Sequence, residues 1–257
     1  MNPKFIILGS GAGHTVGGRN SSSYLLEYKN RLCLFDCGSG SLRSFLSMGY
    51  DPLSIDNIFI SHMHIDHIGD LLLYIQKFYL LKRAEKLCIH MPAEGIEIIQ
   101  KYMKACYLFE EKFLYELSFI PMEPMISLYE DNISIKPIAN RHLFRSYEAI
   151  EKYKITGLDN QMQSFSFKIY VKDKTLLYSA DLESLDDIEK DLDNLDLLIV
   201  ETTHIDLIKL RELPESRNVR RVVLTHIAED SIEALQTLAQ SRPDKFILAE
   251  DNLTLDI

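Results

Sequence analysis

Apolar positions along this chain fall into short runs bounded by turn residues, interrupted by longer stretches in which they recur at helical spacing. Runs at 5–8, 22–27 and 32–35 predict three strands of an opening antiparallel sheet. Leu42, Phe45 and Leu46 then fall at helical spacing, predicting a helix over 39–48 that Gly49 stops. Asp51-Pro52 turns the chain toward a strand at 58–60, followed by a long helix over 69–85, a strand at 87–90 and a helix over 94–108. Two hairpins come next, 125–129 with 133–138 around Glu130-Asp131-Asn132, and 164–171 with 175–178 around Lys172-Asp173-Lys174. Strands at 195–200 and 221–224 complete the pattern. Four of these strands run straight into polar residues: 62–67, Asp181, 201–204 and His226. Binding groups collected at strand ends are held by rigid elements, which is how a sandwiched sheet builds a site.

Composition narrows the picture. In 257 residues no Pro/Gly/Ser-rich linker or charge block divides the chain, which predicts one domain over 1–257. The longest apolar runs are strand-sized, so no membrane span is expected. Met1-Asn2-Pro3-Lys4 leads directly into the first strand, leaving no room for a signal peptide, and the expected location is the cytoplasm. A net charge of −10 argues against a general nucleic-acid coat. Cys33, Cys37, Cys88 and Cys106 form no Cys-x-x-Cys pair and are expected to be buried free thiols. The loop Gly9-Ser10-Gly11-Ala12-Gly13 resembles a dinucleotide-binding turn, but His14 stands where that fingerprint needs its third glycine. Cofactor binding by this loop is therefore not expected.

The densest chemistry lies in His62-Met63-His64-Ile65-Asp66-His67. Imidazole nitrogens and a carboxylate suit zinc and its first-row neighbours, and a turn at a strand end can direct all four donors to one place. This cassette, with Leu8-Gly9-Ser10-Gly11, Arg19-Asn20-Ser21-Ser22-Ser23 and Leu34-Phe35-Asp36-Cys37-Gly38 before it and His142, Asp181 and His226 after it, resembles the metallo-β-lactamase superfamily. The likeness is nearest to its ribonuclease Z and small phosphodiesterase branch. It implies an α/β (α+β) chain folded as a four-layer αββα sandwich. It also implies two divalent ions, zinc first with manganese or iron as alternatives. His62, His64 and His142 would hold one ion, Asp66, His67 and His226 the other, and Asp181 would bridge. Two such ions, roughly 3.5–4 Å apart, acidify a shared water, so the expected nucleophile is hydroxide. Asp66 could also orient or deprotonate that water, Asp36 could orient a ligand imidazole, and His204 could protonate a leaving alkoxide or simply pack in its loop. Cys37 is expected to pack.

The resemblance also sets limits. Ribonuclease Z enzymes carry a long arm between the positions of His142 and Asp181 and a His-Ser-Thr loop before the last ligand, and this chain has neither. Instead, residues 143–163 form an expected insertion over the site. Arg141, Arg145 and Tyr147 there are candidate substrate contacts beside Lys152, Tyr153 and Lys154, with a solvated charged helix face as the plainer alternative. The sequence thus predicts a metal-dependent hydrolase, a phosphodiesterase acting on a small or cyclic phosphodiester. Precursor-tRNA 3′ cleavage, with RNA as partner, and lactone or thioester hydrolysis are the alternatives, and a homodimer stays open.

Overall fold

A computed structural model describes residues 2–14, 17–128, 132–153 and 160–257. Two compact units are distinguished, the first running to Met122 and including Glu250–Asp256, the second comprising Glu123–Ala249 with Ile257.

The first unit contains strands β1 (Lys4–Gly9), β2 (Ser23–Tyr28) and β3 (Arg31–Phe35), helix α1 (Ser41–Ser47), β4 (Ile55–Phe59), helices α2 (Ile65–Ile68) and α3 (Leu71–Leu80), β5 (Leu87–Met91), α4 (Ala93–Ala105) and β6 (Leu117–Pro121). They form a seven-stranded sheet in the order C-terminal strand Thr254–Asp256, then β1 to β6. Pairing is antiparallel as far as β3 and parallel from β3 to β6. Lys29 and Asn30 both take positive φ, 51° and 62°, the geometry of the two-residue turn whose twist matches its flanking strands. One sheet face, with Ile6, Leu8, Leu25, Leu34, Ile58 and Ile89, packs against Phe45, Leu71, Tyr74, Ile75, Phe78 and Met103 of the helices. The opposite face is equally buried and carries ring stacks of Phe5 on Tyr24 and of Phe35 on Phe59.

Two expectations need correction here. The helix expected over 69–85 is shorter, running from Leu71 to Leu80, and a separate short helix, Ile65–Ile68, precedes it. Lys82 turns left-handed (φ 55°), and the Arg83 guanidinium, buried beneath, donates to the carbonyls of Leu53, Glu85 and Lys86 and to Asp56. That polar anchor replaces the glycine or proline stop that sequence patterns rely on. The thiols are all free, but only Cys33 and Cys37 are buried; Cys106 is exposed because it caps the end of α4.

His90 of β5 gives this unit a pH dependence. Its ring is 5% exposed, stacks on Phe59 at 4.7 Å, and burial lowers its pKa to about 4. The unfolded chain takes up this proton first, near the ordinary value of 6.5. Stability is therefore complete above that pH and falls by up to about 3 kcal/mol as the pH drops toward 4. Denaturant midpoints of the metal-stripped protein at pH 7 and pH 4.5 measure this. The His90→Phe variant should lose a smaller share, and identical losses would refute the assignment.

The second unit contains β7 (Ile126–Leu128), β8 (Ile133–Ala139), α5 (Arg145–Tyr153), β9 (Phe165–Val171), β10 (Lys174–Tyr178), β11 (Leu197–Glu201), α6 (Leu207–Ser216), β12 (Val222–Thr225), α7 (Ile232–Ser241) and β13 (Phe246–Leu248). Its sheet order is β13-β12-β11-β10-β9-β8-β7, parallel from β10 to β13 and antiparallel from β7 to β10. Both expected hairpins form, although residues 129–131 of the first turn lie outside the described residues. Parallel registry sets the carboxyl ends of β10, β11 and β12 side by side, since Tyr178 pairs with Ile199 and Glu201 with Thr225. Among the described residues no helix is long and apolar enough to cross a membrane.

Candidate metal centre

In the first unit, β3 and β4 end in register, with Phe35 opposite Phe59, so the residues that follow each strand meet. Asp36 adopts φ 56°, a strained conformation for a residue with a Cβ. Its buried carboxylate accepts from the Ser61 N–H at 2.7 Å and the Ser61 hydroxyl at 2.9 Å, and lies 2.8 Å from His67 Nδ1. That contact assigns the Nδ1 proton of His67 to Asp36 and turns Nε2 toward Asp66, whose Oδ2 is 3.4 Å away. Ser61 Oγ also lies 3.0 Å from His62 Nδ1. The His62 ring is 4.6 Å from that of His64 and 4.1 Å from that of His67. Asp66 and His67 are carried by the short helix α2, where a plain turn was expected. The backbone of Cys37 clasps this helix by donating to His67 O and accepting from Asp70 N–H. Its thiol is buried, and that burial, with Asp36 and Asp70 nearby, holds its pKa well above the ordinary value.

The glycines here serve close approach. A Cβ on Gly38 would stand 2.4 Å from the Asp66 carbonyl oxygen, and one on Gly9 would stand 1.8 Å from that of Ser21. The glycine loop is thus packed against residues 19–21.

In the second unit, β10 runs through Ala180 (φ 48°) to Asp181, and β12 delivers His226 (φ 52°). His142 sits on the turn His142–Phe144 after β8, its N–H donating to Asn140 Oδ1. Asp181, 3% exposed, stands between two imidazoles: Oδ2 is 3.5 Å from His142 Nε2 and Oδ1 is 3.3 Å from His226 Nδ1. Two ligands at zinc-bond length about a tetrahedral ion lie about 3.3 Å apart, longer than a good N–H···O bond. The separations of 3.4 Å within the first unit and of 3.3 and 3.5 Å within the second match that spacing, and the His/Asp donor types suit zinc or a first-row neighbour.

His204 lies beside this group, its ring 5.2 Å from that of His142 and 6.4 Å from that of His226. The Glu201 carboxylate, buried at the end of β11, receives the N–H groups of Thr203 and His204, the Thr203 hydroxyl, and His204 Nδ1 at 3.1 Å. This hydrogen bond raises the His204 pKa; burial opposes it, the charges of Glu201 and Asp181 add to it, and Arg145 lowers it. Glu201 was not singled out from sequence, where one acid after an apolar strand carries no distinguishing mark.

The candidate substrate contacts part company. Arg141 is committed to acids of its own unit, with Nε 2.7 Å from Asp187 Oδ1 and 3.2 Å from Glu183 Oε2. Arg145 donates to the Glu183 carbonyl, and Tyr147 is exposed on α5. Residues 154–159 of the expected insertion, Lys154 among them, lie outside the described residues.

Known proteins bear on this arrangement. A family model described as anti-Pycsar protein Apyc1 matches residues 3–247. The ribonuclease Z of Pyrococcus furiosus is 29% identical over 228 residues, covering 78% of this chain and 74% of that protein. The ribonuclease Z of Methanococcus aeolicus is 38% identical over 104 residues, 40% of this chain, and the match spans only 32% of that relative's length. The metallo-β-lactamase fold protein YhfI from Bacillus subtilis superposes with a TM-score of 0.74 over 100% of both chains at 20% identity, which establishes the fold: two mixed sheets with flanking helices. The chain has the metallo-β-lactamase fold, is similar to ribonuclease Z, and belongs to the anti-Pycsar protein Apyc1 family.

Proposed function

We propose that this protein is a dinuclear phosphodiesterase acting on a small or cyclic phosphodiester. The observation that carries the reading is Asp181, a buried carboxylate whose two oxygens face different imidazoles at ligand spacing. In this reading His62, His64, His142 and Asp181 form one set of donors, and Asp66, His67, His226 and Asp181 the other. Zinc suits both sets, with manganese or iron as alternatives. A pair of divalent ions bound there would acidify water and offset the charge that develops on phosphorus.

The chain's own residues supply the rest. Asp36 fixes the His67 tautomer, so that Nε2 is the nitrogen offered as a ligand. Asp66 orients the attacking water and accepts its proton. His204, whose pKa is raised by its hydrogen bond to Glu201, donates a proton to the departing oxygen. Arg145 meets the non-bridging phosphate oxygens, while Arg141 anchors its own loop. The substrate is a diffusible one in the cytoplasm. Likeness to ribonuclease Z favours a second reading, cleavage of precursor tRNA, and lactone hydrolysis is a third.

Elemental analysis of purified protein, paired with a panel of bis(p-nitrophenyl) phosphate, cyclic nucleotides, lactones and precursor tRNA, separates these readings. About two divalent ions per chain and turnover of the small phosphodiesters are expected. Turnover confined to lactones or to tRNA would overturn the proposal.

A further inference from the structure

Where β8, β9 and β10 give way to loops, a buried row of side-chain hydrogen bonds carries on from the last ladder pairs, Ala139 with Phe165 and Tyr178 with Phe167. Asn140 Oδ1 accepts the His142 N–H at 3.2 Å, and Asn140 Nδ2 donates to the Ser166 hydroxyl at 3.1 Å. The Ser166 hydroxyl donates in turn to the Ser179 carbonyl. The Ser179 hydroxyl accepts the Glu201 N–H at 3.0 Å and donates to the Ala180 carbonyl. The orientation of each group follows from its neighbour: with Nδ2 committed to Ser166, Oδ1 is the atom that Asn140 turns to His142. Ala180, the link between Ser179 and Asp181, holds a left-handed φ of 48°, a conformation that persists where its surroundings over-determine it. A buried polar row rigidifies its neighbourhood when its members are satisfied, and this one joins the segments that carry His142, Asp181 and Glu201.

We propose that Asn140, Ser166 and Ser179 are positioning residues that set the spacing of His142 from Asp181, and thereby the affinity of the one ion whose donor set includes His142. This rests on the dinuclear phosphodiesterase reading and gives its two second-unit ligands a common support. The three residues act through those ligands and not on the reacting atoms.

Ser166→Ala removes the central hydroxyl, which bonds to neither ligand. In metal-stripped, isotope-labelled protein followed by hydrogen exchange, the His142 amide should exchange about tenfold faster relative to the amides of β12, because the loss is transmitted through Asn140. Ser166→Thr, which keeps the hydroxyl, should restore the wild-type ratio. Cobalt(II) titrations followed by visible absorption should show, in Ser166→Ala and in Asn140→Ala, one ion weakened roughly 10- to 100-fold and the other held as in the wild type. Equal acceleration at His142 and in β12, or two ions weakened alike, would make the row part of the general frame and overturn the positioning role. A wild-type protein that takes up fewer than two ions, while its His142 amide still responds to Ser166→Ala, would instead remove the dinuclear reading and leave the support of His142 standing.

Discussion

Replacing Asp181 with alanine is expected to strip the protein of metal and lower phosphodiester turnover by more than about 100-fold. Loss of a group that only orients a ligand already costs roughly 10- to 100-fold in affinity or activity, and Asp181 is proposed to bind directly. Its oxygens lie 3.5 Å from His142 Nε2 and 3.3 Å from His226 Nδ1, so one side chain serves both donor sets. It is also buried, and a buried anion without a cation is costly. Asp181→Asn keeps the shape and removes the charge, and it should fail in the same way. In the presence of EDTA both variants should be at least as resistant to denaturant as the wild type, because the metal-free centre is relieved of a carboxylate. Metal content by elemental analysis and turnover of bis(p-nitrophenyl) phosphate should fall together. An Asp181→Ala protein with two ions and wild-type turnover would sink the bridging role and the dinuclear reading with it.

Legibility of this molecule in its sequence followed local physics. Strands β1 to β3 were readable because short apolar runs alternate with turn residues, and Lys29-Asn30 closes their hairpin with two left-handed residues. The polar groups at the ends of β10, β11 and β12 were readable for the same reason: a buried apolar strand that stops at Asp, Glu or Thr-His announces its own end. Helices α6 and α7 were missed because their apolar stripes are narrow. Buried positions are confined to Leu210, Leu213 and Pro214 in one and to Leu235 in the other, and Pro214 lies inside α6. The early end of α3 depends on Arg83 folding back onto carbonyls of three other residues, a tertiary event with no local marker. The pairing of Arg141 with Asp187, 46 residues along, was hidden likewise. In the same way Ser61 and Asn140 become visible only once the strand ends are brought together, Ser61 against Asp36 and Asn140 under the His142 amide.

Alanine at position 204 is expected to separate chemistry from metal binding. Positioned general acids contribute roughly 10²- to 10⁴-fold, and the geometry of His204 fits that role. Nδ1 is engaged by Glu201 at 3.1 Å, which leaves Nε2 as the nitrogen that exchanges a proton, and the ring is a quarter exposed, enough to meet a substrate. Glu201 also receives the N–H of Leu182, so the same carboxylate steadies the backbone next to Asp181. The leaving group discriminates between roles. A nucleoside alkoxide needs a proton as it departs, whereas p-nitrophenolate leaves without one. His204→Ala should therefore lose about 100-fold or more on a cyclic nucleotide, keep most of its rate on bis(p-nitrophenyl) phosphate, and retain its metal. Glu201→Gln, which preserves an acceptor but not the charge that helps raise the His204 pKa, should show the same split at smaller amplitude. Equal losses on both substrates, or metal lost along with activity, would make His204 part of the structural frame and leave the departing oxygen to be protonated by water.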